Sequence, residues 1–336
     1  MLFGTCITVE LWAECLRVLK PGGHLLAFSG TRTVHRMVCA IEDAGFEIRD
    51  MITWNYGSGF PKSLDVSKAI DKKFGVESEV VGIKKNAMSG WNTDGSTKFI
   101  DRPILKGTSE QAKQWSGWGT ALKPSIEPIC VARKPLSEKT VAENVLKWGV
   151  GAINIDGCRV ENIDGVKLGR NNKLDYKDTG IKKSWGMKAI DRSERTDGRW
   201  PANFIHDGSF EEEWVRYFYC AKASNKDRNE GCENLPLKEI YPQNNSIERK
   251  ELNESKDNRV ANNHPTVKPT DLMAYLCRLV TPPNGTVLDP FNGSGSTGKA
   301  CMRENFKYIG IDLSQEYLDI SKARIEFELS KKNKGV

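Results

Sequence analysis

Apolar and polar positions divide the chain into a strongly patterned start, a polar middle and a patterned end. Over residues 9–19 the side chains Leu11, Trp12, Cys15, Leu16 and Leu19 recur at three- and four-residue steps, the period of a helix with one buried face. Pro21-Gly22-Gly23 ends it, since proline lacks an amide hydrogen and glycine favours a turn. His24-Leu25-Leu26-Ala27-Phe28 then reads as a short buried strand. Residues 31–44 read as a helix ending at Gly45, 46–54 as a strand and, after an inserted stretch, 126–133 as a third strand. Past residue 264 the pattern predicts a helix over 272–280 and a strand over 286–289. A glycine loop leads from there into a helix through Cys301, a strand over 308–312 and a long charged helix to Lys332. Helix–strand alternation of this kind predicts an α/β sheet.

The middle is different. Residues 166–199 crowd Lys, Arg, Asn, Asp and Gly around Tyr176 and Trp185, with Trp200 just after, and 241–263 is polar throughout. Two readings stand side by side: a solvated, poorly ordered insertion, or a DNA-facing module with basic side chains for phosphates and aromatics for bases. Apolar islands at 141–150, 153–160 and 214–220 imply that part of it folds.

Composition narrows the class. At 336 residues and 38% apolar the chain can bury a full core, and no run approaches the roughly 20 apolar residues of a membrane span. The N-terminus has no basic segment followed by an apolar run, so a cytoplasmic location is expected. Nine cysteines without a Cys-x-x-Cys pair, and only four histidines, argue against a zinc site or a disulfide framework; no metal is expected. Cys39, Cys130, Cys277 and Cys301 read as core filler. A net charge of +6 suits a polyanion partner, but becomes informative only alongside a site.

The strongest constellation is Val287-Leu288-Asp289-Pro290-Phe291-Asn292-Gly293-Ser294-Gly295-Ser296-Thr297-Gly298. It contains a G-x-G-x-x-G at a strand-to-helix junction, where glycines let backbone N–H groups approach a ligand. About 20 residues on, Asp312 ends the next strand, the place for a carboxylate that accepts ribose hydroxyls. A nicotinamide dinucleotide and S-adenosylmethionine both fit so far. Only one helix remains after Asp312, so the sheet must be completed by the N-terminal zone, which a nicotinamide fold does not do; the domain reads as circularly permuted. The Asp-Pro-Phe step also suits an amino-acid moiety better than a pyrophosphate. A second signal is His264-Pro265-Thr266-Val267-Lys268-Pro269-Thr270, for which a plain helix start capped by Thr270 is the alternative.

The pair HPTVKP and DPFNGSGSTG, in that order, resembles the permuted (beta) class of DNA adenine-N6 and cytosine-N4 methyltransferases, with particular similarity to enzymes of phages and mobile elements. VELWAECLRVLKPGGHLLAFSG, GFEIRDMITW with GSGFPKS, and SIEPICVARKPL extend the likeness over most of the chain. The resemblance implies a Rossmann-like S-adenosylmethionine-dependent methyltransferase fold, circularly permuted, with an inserted DNA-recognition region. It implies S-adenosyl-L-methionine as cofactor and double-stranded DNA as partner, with restriction–modification as the setting. It further implies that Asp289, Phe291, Gly293 and Gly295 contact the cofactor's methionine and adenosine parts, that Lys268 and Thr270 lie near its carboxylate, and that Asp312 holds the ribose. The expected organisation is a sheet portion over 1–135, an insert with target recognition over 136–263, and a cofactor-binding portion over 264–336.

One family feature is missing. An exocyclic amine is a poor nucleophile, and the family meets this with an Asp/Asn/Ser-Pro-Pro-aromatic step that accepts the amine's hydrogens and stacks on the flipped base. The chain has no such step; its single Pro-Pro, Thr281-Pro282-Pro283-Asn284, lacks the aromatic and reads as a turn. In the permuted class the step lies upstream of Val9. The expectation is therefore an N-terminally truncated or degenerate chain, lacking the strand between 286–289 and 24–28. The leading reading is an amino-methyltransferase, adenine-N6 before cytosine-N4, with this chain's own activity left open. Its alternative is a non-catalytic DNA- or cofactor-binding remnant. A nicotinamide oxidoreductase is disfavoured by the permutation, and a cytosine-C5 enzyme by the lack of a Pro-Cys. Residues 57–62 and Lys222 carry weaker suggestions of DNA contact, against a surface turn and a plain strand.

Overall fold

The computed structural model describes residues 8–57, 59, 63–91, 97–160, 198–209, 218–239 and 259–333. The basic and aromatic stretch with Tyr176 and Trp185, and most of 57–62 and 241–263, lie outside the described residues.

The first half alternates as the pattern predicts: α1 (Val9–Val18), β1 (His24–Phe28), α2 (Val34–Asp43) and β2 (Glu47–Asn55). There follow α3 (Val66–Phe74), β3 (Glu79–Trp91), β4 (Thr97–Lys106), α4 (Glu110–Gln114), β5 (Ile126–Arg133) and α5 (Val141–Trp148). Trp12 of α1, Met37, Ala40 and Ile41 of α2, and Cys130 and Ala132 of β5 form one core cluster. The Pro21-Gly22 turn is held from a distance: the buried Asn144 of α5 donates to Pro21 O and Val150 O, both at 2.9 Å. A Cβ on Gly22, whose φ is +79°, would stand 2.4 Å from that amide, so glycine is required on two counts.

The second half adds β6 (Phe204–His206), β7 (Phe218–Tyr219), α6 (Asn225–Asn229), and the short pair β8 (Lys238–Glu239) and β9 (Arg259–Val260). It closes with α7 (Thr270–Val280), β10 (Thr286–Asp289), α8 (Ser296–Glu304), β11 (Lys307–Gly310) and α9 (Gln315–Asn333). β6 and β7 extend the main sheet, whose order is β1-β5-β2-β6-β7, with β5 antiparallel to both neighbours and the β2–β6 and β6–β7 pairs parallel. β10 and β11 pair in parallel as a separate two-stranded sheet. Among the described residues β10 pairs with β11 alone and β1 with β5 alone, so each presents an open edge.

α7 joins the two sheets. Leu272, Tyr275, Leu276 and Leu279 pack with Ile52, Trp54, Ile129, Val131 and Ile205 of the main sheet. On another face Cys277 packs with Cys301 and Phe306 beside β10 and β11. Nearly all of α7 is therefore covered, which its run of apolar residues requires.

Residues 63–123 form a module between β2 and β5. Its neck is closed where Ser63 Oγ accepts the Thr120 and Ala121 amides at 3.0 and 3.3 Å. Its centre is the fully buried Asp71, which accepts Ser109 Oγ at 2.6 Å and the Thr108 amide at 2.8 Å. The antiparallel ribbon β3–β4 projects from it. Periodicity gives no reading here beyond an insertion.

Two smaller readings need correction. Cys130, Cys277 and Cys301 are buried, but Cys39 is exposed, because α2 turns that face outward. Thr270 is not the cap of α7: Pro269 holds that position, and the free Thr270 amide is taken by the Asp227 carboxylate at 2.9 Å.

Candidate cofactor site

The glycine loop runs from the end of β10 into α8, and its shape is set by what lies behind it. Gly293 and Gly295 adopt φ of +51° and +72°, conformations that disfavour a side chain. A Cβ on Gly293 would stand 2.6 Å from His264 Nε2, and one on Gly295 would stand 2.3 Å from Ser321 Oγ. The loop is thus packed between the segment before α7 and the helix α9.

Five of the seven predicted residues lie on this loop or its neighbouring strand. Asp312, just past β11, accepts the Gly293 amide at 2.7 Å and the Ser314 amide at 2.9 Å. A carboxylate has about four acceptor directions, so capacity for ribose hydroxyls remains. Asp289 accepts Thr297 Oγ1 at 2.5 Å and the Phe291 amide at 3.0 Å. Burial pushes its carboxyl above the usual range, against those two bonds, and the Asp312 charge adds to the rise. Phe291 is about half exposed and meets Trp12 of α1 edge-on, with ring centroids 6.5 Å apart.

The other two residues approach differently. Lys268 is anchored to the loop, because its carbonyl accepts Ser296 Oγ at 2.8 Å. Its ammonium reaches the main sheet, 3.3 Å from Glu127 of β5 and 5.4 Å from the Phe28 ring centroid at the end of β1. Thr270 is buried and its hydroxyl donates to Asp227 at 2.5 Å, so it supports the segment and does not face a ligand.

Sequence reasoning missed what lies beneath. Lys299 of α8 is fully buried and pairs with Asp227 at 3.0 Å and Glu230 at 2.9 Å. Arg324 of α9 is also fully buried, donating to Ser294 O at 2.6 Å and to the Asp227 carbonyl at 2.8 Å. Arg228 Nη2 donates to the His264 carbonyl at 3.0 Å, and Asn262 Nδ2 to the Arg228 carbonyl at 2.6 Å. Segment 227–230 therefore locks the glycine loop to the segment before α7. No short motif announces it. Burial also pushes His264 down to about 4, Asp312 opposing and Lys268 adding to the fall, so the ring against Gly293 is neutral at pH 7.

The donor set fits S-adenosylmethionine: a carboxylate for ribose, an ammonium for a carboxylate, a half-exposed aromatic ring, and a second carboxylate for an amino group. A cleft of about 400 Å³ lined by Asn292, Tyr308, Gly310 and α9 adjoins the loop, but none of the seven residues lines it.

Comparison with known proteins places the chain. Type II methyltransferase M.HindIII of Haemophilus influenzae is 23% identical over 323 residues, which span 95% of this chain and 69% of that protein. Type II methyltransferase M2.LlaDCHI of Lactococcus lactis subsp. cremoris is 43% identical over 70 residues, 21% of this chain and 26% of its own. The M1.HpyAVI–SAM complex covers 94% of this chain and 81% of its own, at 16% identity and a TM-score of 0.42. PvuII DNA methyltransferase (cytosine-N4-specific) covers 98% and 77%, at 13% identity and a TM-score of 0.39. The N6_N4_Mtase family model, described as DNA methylase, matches residues 7–323, almost the whole chain, and the chain belongs to that family.

Proposed function

We propose that this chain binds S-adenosyl-L-methionine at the glycine loop and presents it to double-stranded DNA in the manner of an amino-methyltransferase, adenine N6 before cytosine N4, without itself supplying the amine acceptor. The observation that carries the reading is the convergence of Lys268, Asp289, Phe291 and Asp312 around one loop whose conformation only glycine accepts readily. In this reading Asp312 holds the ribose hydroxyls, and Lys268 exchanges Glu127 for the methionine carboxylate. Asp289 takes the methionine amino group, and Phe291 covers the adenosine. When bound, the cofactor supplies an electrophilic methyl group on a sulfonium. The chain's own part is to orient that group, exclude water from it and hold the DNA beside it. The reading carries a cytoplasmic location, where DNA is met directly; no described helix is long and apolar enough to cross a membrane.

The amine acceptor is the part these residues do not supply, since no Asp/Asn/Ser-Pro-Pro-aromatic step occurs among them. The edges of β10 and β1, open among the described residues, support a slot for a strand that would carry it. On its own, then, the chain binds without transferring. Target recognition falls within 136–263 on the sequence reading; the module at 63–123 is a second candidate. It leaves the sheet after β2 and returns before β5, the edge where Glu127 meets Lys268, and a two-stranded ribbon fits the major groove.

Binding and turnover measured together test the reading. Calorimetric titration with S-adenosylmethionine should show saturable binding, and tritiated methyl transfer to mixed-sequence DNA should stay at background. Transfer above background would mean that another group here accepts the amine's hydrogens. No binding by a folded chain would remove the reading altogether.

A further inference from the structure

We infer that Lys222, with Lys123 beside it, forms a seat for a DNA phosphodiester at the carboxyl edge of the main sheet, next to the Lys268–Glu127 pair. The inference rests on the DNA reading above and names a contact that reading does not require.

Lys222 lies within electrostatic reach of two further ammonium groups, on Lys123 and Lys268, and of two carboxylates, Glu127 and Asp207. Both carboxylates are already engaged. Glu127 holds Lys268 at 3.3 Å. Asp207 accepts the Gly57 amide at 3.2 Å and the Ser209 amide at 3.1 Å. Lys123 donates to the Gly57 carbonyl. Positive charge is therefore in excess at this edge.

Lys222 has no carboxylate in ion-pair contact among the described residues, whereas Lys268 has Glu127. The Lys222 Nζ rests 3.7 Å from the ring centroid of Tyr56, which is itself buried at the end of β2. Among the described residues it forms no ion pair and donates no hydrogen bond that the geometry supports. An ammonium has three N–H donors, and an aromatic face fixes it in place without consuming one. Burial against the ring lowers its pKa, Glu127 and Asp207 oppose this, and Lys268 and Lys123 add to the fall. A further anion would offset that cost to the charged form.

The place selects a phosphodiester over the cofactor's carboxylate. Lys268 is anchored to the glycine loop through its own carbonyl, so it is the cation assigned to a ligand seated there. Lys123 stands at the foot of the 63–123 module, so a duplex lying along that module would bring its backbone over Lys123 and Lys222 together. A lysine meets phosphate as a point charge, without base preference, so the contact would position DNA and not read its sequence.

The test uses the full chain and its Lys222→Gln and Lys222→Arg variants. Anisotropy with a labelled mixed-sequence duplex is followed across a salt series, and each protein is also titrated with S-adenosylmethionine. Loss of one phosphate contact should lower the slope of log K against log salt by about 0.9 and weaken binding roughly three- to tenfold for any sequence. Lys222→Arg should keep the slope, and cofactor affinity should be unchanged in both variants. Wild-type DNA binding with the same slope in Lys222→Gln would overturn this seat alone. So would loss of cofactor affinity instead, which would assign the anion to the cofactor. A wild-type chain that binds no DNA would overturn this inference together with the DNA reading beneath it.

Discussion

Asp227 ties the helix after the glycine loop to the start of α7. Its carboxylate accepts the Thr270 amide and hydroxyl at 2.9 and 2.5 Å and pairs with the fully buried Lys299 at 3.0 Å. Removing one partner of a buried pair leaves the other charge uncompensated; here Lys299 keeps Glu230. Asp227→Asn should therefore cost about 3 kcal/mol in urea unfolding. Burial alone would raise the Asp227 pKa, but the Thr270 bonds and Lys299 outweigh it and hold the group below the ordinary range. Its contribution is then complete above about pH 4, near the unfolded value, and is lost as pH falls through the folded pKa. His264 has the opposite charge type and the same direction. With a folded pKa near 4 against about 6.5 unfolded, it must stay neutral to fold well. Its stabilisation is present above about pH 6.5 and declines toward pH 4. Burial pushes a second histidine, His24 of β1, down to about 4 as well, so acid destabilisation of the wild type alone does not single out either ring. Comparing stability between pH 7 and 4 in wild type and His264→Gln isolates one residue; the variant should lose less on acidification, and equal losses would assign the effect elsewhere.

At the scale of elements, α7 is the member both sheets depend on. Leu272 is fully buried, and the Tyr275 ring stacks on Phe218 at 3.9 Å between centroids. Leu272→Ala should cost about 2–5 kcal/mol, by lost burial and an unfilled cavity. Because α7 contributes to clusters on both sheets, fluorescence and circular dichroism should report a single unfolding transition in wild type and variant. Two separated transitions would mean that the sheets fold independently. Regular elements are readable in the sequence: β1, β5 and β10 fall where the pattern puts them, because short segments rich in apolar residues and bounded by turn residues are too brief for helices. α9 was readable only as a charged helix. Its sequence does not say that Arg324 is the charge turned inward, because that depends on the carbonyls of Ser294 and Asp227, 30 and 97 residues away. The 63–123 module was illegible for a related reason. Its centre is the polar Asp71, satisfied by Ser78, Thr108 and Ser109, and a polar hub leaves no apolar period to read.

For the whole molecule, the arrangement is a glycine-loop half and a sheet half joined by α7, by Lys268 on Glu127, and by Trp12 against Phe291. The glycine loop and Asp312 were legible because a backbone conformation and a strand end dictate their residue types. The segment carrying Lys268 is legible as a neighbour of the loop, but Glu127 as its partner is not, since that pairing spans 141 positions and exists only once the halves meet. In the proposed reading this loop binds S-adenosylmethionine through Asp312. Calorimetric titration of the cofactor into wild type and Asp312→Asn, with melting curves showing both folded, tests it most directly. Wild type should show one-site binding, and the variant an affinity at least roughly tenfold lower, the weight of a charged hydrogen bond. Equal affinity in the two folded proteins, or no binding by the wild type, would contradict that reading.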